Sequence, residues 1–242
     1  MLDLRKIGAL IICCVFLSAC QQSFRLAERP VGGKPDNNKV ALMPLDILLS
    51  EKTAGGMLEP NAVWTEQAKR NLLEGLRKNP SFGRAEVVEV SLPPVDSPDE
   101  KTFLSFQRLH SAVGASILAH SYQPALVLPT KGAKLDWTMG PLARQLQDKT
   151  KTRYALFLHV NDTYASGGRV ALIIASALLF GVAPEGGTQT GFASLVDLET
   201  GDIVWFNHLS RNAGDLRNYA SAQETIDTLF LGFPLGKDCG SC

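Results

Sequence analysis

The sequence predicts an α/β (α+β) fold, in which a single mixed β-sheet of about five strands is packed with helices on its faces. The first observation is residues 154–160, an almost wholly apolar run that is typical of a central strand covered on both faces. The second is the pair of segments 191–198 and 202–209, which flank a short turn ending at Gly201 and predict a β-hairpin. The third is the alternation of such segments with amphipathic helical patterns, which favours a sheet with packed helices.

The body of the protein begins with a strand, a helix and a second strand. Residues 39–46 are a short apolar run bounded by polar residues, which predicts a strand that ends near Pro44. A helix follows, because apolar side chains recur at helical spacing until Asn79-Pro80 stops the pattern. These side chains are Trp64, Ala68, Leu72, Leu73 and Leu76. Residues 85–91 are rich in valine, which predicts the second strand.

Three further helices complete the predicted elements. Ser97 has the character of a helix N-cap, and it is followed by Pro98 at the first helical position and by a capping-box glutamate. One face of this helix then carries Phe103, Phe106, Leu109, Val113 and Ile117. Residues 137–148 predict another helix, interrupted near its start by Gly140-Pro141, and residues 217–231 predict the closing helix.

The amino terminus has the organisation of a secretory signal. Arg5 and Lys6 precede an apolar run of 13 residues, 7–19, whereas a transmembrane helix needs roughly 20. The run ends in Leu17-Ser18-Ala19-Cys20, which resembles the lipobox of bacterial lipoproteins. This resemblance implies that residues 1–19 are removed as a signal peptide and that the Cys20 thiol carries lipid, so that acylated Cys20 binds the bilayer.

The residues after Cys20 indicate where the protein is anchored. Gln21 and Gln22 stand where inner-membrane lipoproteins have an Asp, so the resemblance implies the periplasmic face of the outer membrane. Residues 20–38 are polar, contain several prolines and glycines and lack a helical or strand period, which predicts a flexible tether. The globular α/β domain is predicted over residues 39–235, followed by a carboxyl-terminal tail, 236–242.

Charge and cysteine usage narrow the classes of partner. The chain has 24 basic and 24 acidic side chains, so it lacks the positive charge that binding to nucleic acid demands. Cys239 and Cys242 form a Cys-x-x-Cys pair in the tail, and in an oxidising periplasm we expect a small disulfide. A redox dithiol and half of a metal site are the alternatives, although the sequence context of neither is present.

The order of the elements resembles that of a known family. The opening strand, KVALMP at residues 39–44, and the strand DIVW at 202–205 also contribute to this resemblance. The family comprises bacterial lipoproteins with the periplasmic domain shared by CsgG, PelC, LpoB and the amino-terminal part of TolB. The resemblance covers roughly residues 39–234. It implies a non-enzymatic assembly, secretion or regulatory accessory of the cell envelope, which forms homo-oligomers or binds an envelope protein, and it supplies no catalytic residues.

One apolar segment is the candidate contact site. Residues 170–183 lie between glycine-containing stretches, and Ser176 is their only polar side chain. As a helix, this segment would be about 21 Å long, too short to cross a hydrocarbon core of roughly 30 Å. It must therefore be covered by the body of the protein, by a second subunit or by lipid. The residues proposed for contact with a partner or a membrane are Leu172, Ile173, Ile174, Leu178, Leu179 and Phe180.

The sequence offers no catalytic, cofactor-binding or metal-binding motif. Its four histidines, at positions 110, 120, 159 and 208, fall on predicted helices and strands and are interpreted as structural. Asp162, Asp197 and Asp202 are interpreted as residues that flank strands and turns. We therefore expect a protein without enzymatic activity and without cofactors. The alternative hypothesis is a ligand-binding auxiliary lipoprotein of an envelope transport system, since α/β bodies often provide a cleft at their strand ends.

Overall fold

The computed structural model describes residues 24–28, 31, 39–83, 85–132, 134–212 and 214–235. The predicted signal peptide, the proposed acylation site at Cys20, and the tail with Cys239 and Cys242 lie outside these residues.

The described residues confirm the predicted fold class, a mixed α/β structure built on one open sheet. Within them the sheet has eight strands rather than about five: β1 (Phe24–Leu26), β2 (Lys39–Leu42), β3 (Asp46–Lys52), β4 (Leu58–Pro60), β5 (Glu86–Glu89), β6 (Tyr154–Ala165), β7 (Gln189–Asp197) and β8 (Ile203–Arg211). Their order in the sheet is β1-β8-β7-β6-β2-β5, with β3 pairing with β6 and β4. The three strands beyond the prediction are β1, β3 and β4.

Strand β6 is the centre of the sheet. It pairs antiparallel with β7 along one side, and on its other side it pairs in parallel first with β2 and then with β3. The chain breaks strand geometry between Leu42 and Asp46, around Pro44, and then resumes it as β3. The sequence pattern that ends near Pro44 therefore predicted β2 only, and β3 was not predicted. The 12 residues of β6 span about 36 Å at 3.3 Å per residue, which sets the length of the body.

Five helices are found among the described residues: α1 (Ala62–Lys78), α2 (Pro98–Tyr122), α3 (Arg144–Thr150), α4 (Gly167–Phe180) and α5 (Tyr219–Leu229). Helices α1 and α5 bury apolar side chains in one core, which contains Trp205 and Phe230. Helix α2 and the segment around α3 cover the other face, where Phe157 and Phe206 are buried. Helix α2 approaches the sheet closely at Gly114, where an added Cβ would overlap the Phe192 ring.

The helix predicted over residues 137–148 begins later than expected. Gly140 has a φ of 81°, and a single 3-10 turn, Pro141–Ala143, leads from it into α3. Trp137 instead accepts a hydrogen bond from Ile203 N at 2.9 Å, and Thr138 bridges to Asp202. Gly140 and Pro141 prevent the helix from starting at Trp137. The carbonyl of Trp137 therefore accepts its hydrogen bond from the first residue of β8 and not from within a helix.

Strand β1 lies within the segment 20–38 that the sequence predicts as a flexible tether. Phe24 pairs with Asn207 of β8, and Leu26 pairs with Trp205. The Phe24 ring packs against the α1/α5 core and lies close to Gly232. A strand of three residues is too short to give a readable period, and its stability comes from β8 and the core rather than from local sequence.

Candidate functional site

Helix α4 is the candidate functional site, because none of its residues is buried. Exposure rises along the helix, from 44% at Val170 to 81% at Leu178, 74% at Leu179 and 75% at Phe180. The first interpretation of this segment, an apolar helix covered by the protein's own body, is therefore wrong. Coverage by a second subunit or by lipid remains. We call Leu178, Leu179 and Phe180 the α4 tip.

Local sequence signals set both ends of α4. The Ser166 side chain caps the helix by accepting a hydrogen bond from Arg169 N at 3.1 Å. At the other end Gly181 takes the left-handed conformation, with a φ of 68°, and its N–H donates to Ala177 O at 3.1 Å. The helix therefore ends at Phe180, the last of its three most exposed apolar side chains.

Polar contacts hold the first turn of α4 to the body. The Arg169 guanidinium donates to the carbonyl of Glu185, at 2.8 Å from Nη2, and to the carbonyl of Ala54. Lys52, the last residue of β3, pairs with the Glu185 carboxylate at 3.4 Å. We call Lys52, Arg169 and Glu185 the polar base of α4. These polar contacts lie at the amino-terminal end of α4, and the exposed fraction of its apolar side chains is highest at the other end.

The six contact residues predicted from the sequence all lie on α4. Ile173 is half-buried, and its side chain lies against Gly186, so it fastens the helix to the body. The other five are exposed. Next to the base, the turn between β3 and β4 adds an exposed Met57, a residue that the sequence analysis did not single out. Sequence spacing alone gives no signal for Met57, since its proximity to α4 depends on the pairing of β3 with β6.

The strand register defines which features share an end of the sheet with α4. Asp162 of β6 pairs with Gln189 of β7, which pairs with Arg211 of β8. These residues and α4 lie at the same end, which we call the α4 end. Because β1 is antiparallel to β8 and Phe24 pairs with Asn207, the amino-terminal side of β1 also points toward the α4 end.

A buried polar cluster that the sequence analysis missed lies beneath the α4 end. The Asp162 carboxylate accepts hydrogen bonds from the Tyr164 hydroxyl and from Gln189 Nε2, the latter at 2.9 Å. Leu216 N donates to the Tyr164 hydroxyl at 2.9 Å. Burial raises the pKa of the Asp162 carboxyl, and the hydrogen bonds from Tyr164 and Gln189 oppose that shift. The cluster ties β6, β7 and the segment before α5 together.

The four histidines occupy separate structural positions. His110 is fully buried and bonds to the Ser194 hydroxyl through Nε2, and His159 pairs with Asp46 at 2.7 Å. His120 bonds to the carbonyl of Leu126, and the His208 ring packs on Tyr122. Among the described residues, no group of three His, Cys, Asp or Glu side chains is arranged to hold a metal ion.

The alternative of ligand binding would require a cleft. One cleft of about 340 Å³ opens between the end of α1 and β5, and Leu76, Asn79, Phe82 and Val87 line it. The Arg77–Glu89 ion pair, with 2.6 Å between Nε and Oε1, also lines this cleft. Its volume lies at the lower limit of typical small-molecule pockets. Over the part of the chain that the structure describes, no helix has both the length and the apolarity needed to cross a membrane.

Comparison with known proteins gives distant structural similarities only. No protein-family model matches the chain, and no curated protein sequence matches it. The chain is similar in structure to the PelC dodecamer of Paraburkholderia phytofirmans, with 14% identity, a TM-score of 0.36, and coverage of 86% of this chain and 96% of that one.

Two further solved structures are similar at the same level. Lipoprotein GNA1162 of Neisseria meningitidis has 12% identity and a TM-score of 0.31, with 80% of this chain and 94% of that one covered. The LpoB C-terminal domain of Salmonella enterica has 14% identity and a TM-score of 0.27, with 76% and 87% covered. At these values the function has to be argued from the chain's own residues.

Proposed function

We propose that this protein is a lipoprotein of the outer membrane, anchored on the periplasmic face through acylated Cys20, and that it acts there as a non-enzymatic accessory in assembly, secretion or regulation of the cell envelope. The observation that carries the proposal is Leu17-Ser18-Ala19-Cys20 at the end of a short apolar run that follows Arg5 and Lys6. Several acyl chains on one cysteine hold a protein stably on its membrane, whereas a single chain binds only reversibly.

Strand β1 limits the distance between the anchor and the folded body. Only three residues separate Cys20 from Phe24, the first residue of β1, so a fully extended chain places Cys20 at most about 14 Å from Phe24. A flexible tether over residues 20–38 would instead allow tens of ångströms. With β1 paired to β8, the anchor therefore keeps the sheet itself beside the bilayer, which suits a protein that presents a surface to envelope partners.

The experiment that tests this function combines mass spectrometry and fractionation. We expect the mature protein from bacterial envelopes to begin at an acylated Cys20 and to sediment with the outer membrane. A Cys20→Ser variant should lose about tenfold or more of its outer-membrane fraction, because no acyl chain can be attached. Cys242→Ser, the matched control, removes a thiol from the tail. It should leave both the acylation of Cys20 and the outer-membrane fraction unchanged. An unmodified thiol at Cys20 would refute the proposal.

A further inference from the structure

We propose that the α4 tip inserts into the same bilayer leaflet that holds the acyl chains of Cys20, so that the protein has a second, sequence-encoded membrane contact. This inference rests on the proposed anchor. The occupant of the exposed helix is thus a lipid surface, rather than a second copy of the chain or a protein groove.

The first argument is the position of the anchor relative to α4. Phe24 of β1 pairs with Asn207 of β8, and Asn207 pairs with Ala193 of β7. Ala193 in turn pairs with Leu158 of β6, so Phe24 and Leu158 lie at the same height along the strands. Phe24 is the end of β1 that faces the α4 end, and only three residues separate it from Cys20 in the sequence. Strands β1 and β6 are three strand spacings apart, or about 14 Å across the sheet. The anchor and the exposed helix therefore meet the same surface.

The second argument is the reach of the anchor along the strands. Ala165 lies seven residues beyond Leu158 on β6, about 23 Å farther toward the α4 end. The chain between Phe24 and Cys20 covers at most about 14 Å of that distance. Helix α4 starts beyond Ala165, so the α4 end extends farther along the strand direction than Cys20 does. A bilayer that accepts acyl chains at Cys20 on this side of the protein then meets α4.

The third argument is the distribution of exposed apolar side chains around the helix. At about 100° per residue, Leu172, Phe180 and Ile174 point in well-separated directions around the helix. Val170 and Leu178 point to either side of Ile174, so exposed apolar side chains are distributed around the helix. A helix that docks in a protein groove needs one apolar face only. Acyl chains, in contrast, surround an inserted helix from every side. The all-round apolar character of α4 therefore favours lipid.

The fourth argument is the match between α4 and the depth of a membrane interface. The polar base, Lys52, Arg169 and Glu185, stands at one end of α4, and the α4 tip at the other. The helical rise from Ile174 to Phe180 is about 9 Å. The hydrocarbon of one leaflet is about 15 Å thick, half of a core of roughly 30 Å. The base can thus remain among lipid headgroups while the tip enters the hydrocarbon.

The test uses a tryptophan reporter in the full acylated protein, purified from envelopes and reconstituted into phosphatidylethanolamine/phosphatidylglycerol vesicles that contain brominated lipids. Phe180→Trp places the reporter at the α4 tip. Leu142→Trp is the matched control, because Leu142 is 63% exposed and lies at the opposite end of the sheet, where Arg144 bonds to Glu199 of the β7–β8 turn. The emission that each variant adds to that of the parent protein is compared with and without bromine.

We expect brominated lipid to quench about half of the emission added by Phe180→Trp, because bromine and the tip then share the hydrocarbon region, and to leave the emission added by Leu142→Trp unchanged. Absence of quenching at position 180, or equal quenching at both positions, would overturn the proposal. If position 180 is unquenched and Leu178→Ser/Phe180→Ser lowers the mass of the solubilised protein, the helix contacts a second copy instead. The intact mass of the same sample shows whether Cys20 is acylated. Absence of acylation is therefore distinguished from absence of contact between the α4 tip and the bilayer.

Discussion

At the scale of single residues, His110 is a titratable side chain that lies in the core of the protein. Its ring is stacked on Phe157, with 4.8 Å between the ring centroids, and Nε2 bonds to the buried Ser194 hydroxyl. Nδ1 has no hydrogen-bond partner among the residues that the structure describes. Burial, assisted by the nearby His159, lowers the pKa of His110 to about 3. The imidazole is therefore neutral in the folded protein throughout the physiological range.

The burial of His110 predicts a loss of stability in acid. As the pH falls, the unfolded chain takes up the proton near the ordinary pKa of 6.5, whereas the folded chain takes it up only near 3. The resulting loss of unfolding free energy is absent above about pH 7 and grows as the pH falls from 6.5 to 3. Between pH 7 and pH 5, the wild type should lose about 2 kcal/mol more of unfolding free energy than His110→Gln. Urea titrations at the two pH values measure the difference, and equal losses would contradict the prediction.

At the scale of secondary-structure elements, the sequence predicted the elements that have a strong local signal and missed β1, β3 and β4. The helix N-capped by Ser97 and the apolar strand from Tyr154 were found as predicted, because each has a strong signal in its own residues. Strands β1 and β4 have three residues each, and their existence depends on partners far away in the chain. No local pattern encodes such pairing.

In the candidate site, too, features encoded by local sequence were predicted and features that depend on distant residues were not. The residues of α4 were predicted from their apolar run, since this signal is local. Their exposure could not be predicted, because it depends on what β6, the β3–β4 turn and the segment at Glu185 leave uncovered. The buried cluster of Asp162 and Gln189 was missed for a similar reason: 27 positions separate the two residues, and the β6–β7 register brings them together.

Strand β1 supplies a prediction at the scale of this one element. Phe24 packs against the core near Gly232, whereas Leu26 is 46% exposed. Phe24 is half-buried, so loss of its ring costs part of the roughly 1.5–3 kcal/mol that full burial of a Phe side chain contributes. We expect Phe24→Ser to detach β1 and to raise amide hydrogen exchange in β8 (Ile203–Arg211) by about tenfold to a hundredfold, while β6 stays protected. Hydrogen-exchange mass spectrometry of the full chain measures this effect.

Leu26→Ser is the matched control for that experiment. It changes a residue of the same strand that is about half exposed and is not among the side chains packed on the core, so it should alter exchange in β8 less than Phe24→Ser does. If Phe24→Ser and Leu26→Ser gave the same exchange rates, the Phe24 side chain would not be what holds β1, and the short distance between Cys20 and the sheet would lose its physical basis.

At the scale of the whole molecule, the two ends of the sheet differ in character. The α4 end carries the apolar helix and the exposed Met57, and the amino-terminal end of β1 points toward it. The opposite end carries the β7–β8 turn, in which Arg144 bonds to the carbonyl of Glu199 and Arg153 pairs with Asp197 at 2.9 Å. In the proposed anchoring, the apolar helix at the α4 end faces the bilayer, and the long axis of β6 points away from it.

This polarity predicts a fixed orientation on the membrane, which two labelled positions can measure. Ala54 lies in the β3–β4 turn beside Arg169, and Thr200 lies in the β7–β8 turn. Fluorophores on Ala54→Cys and Thr200→Cys, each in a Cys239→Ser/Cys242→Ser background, should transfer energy to an acceptor lipid very differently. The length of β6 places Thr200 about 36 Å farther from the bilayer than Ala54. Efficient transfer from Ala54 and weak transfer from Thr200 is the expected result, because β1 and the α4 tip together fix the tilt of the body. Equal transfer from both positions would mean that the body tumbles freely on a long tether.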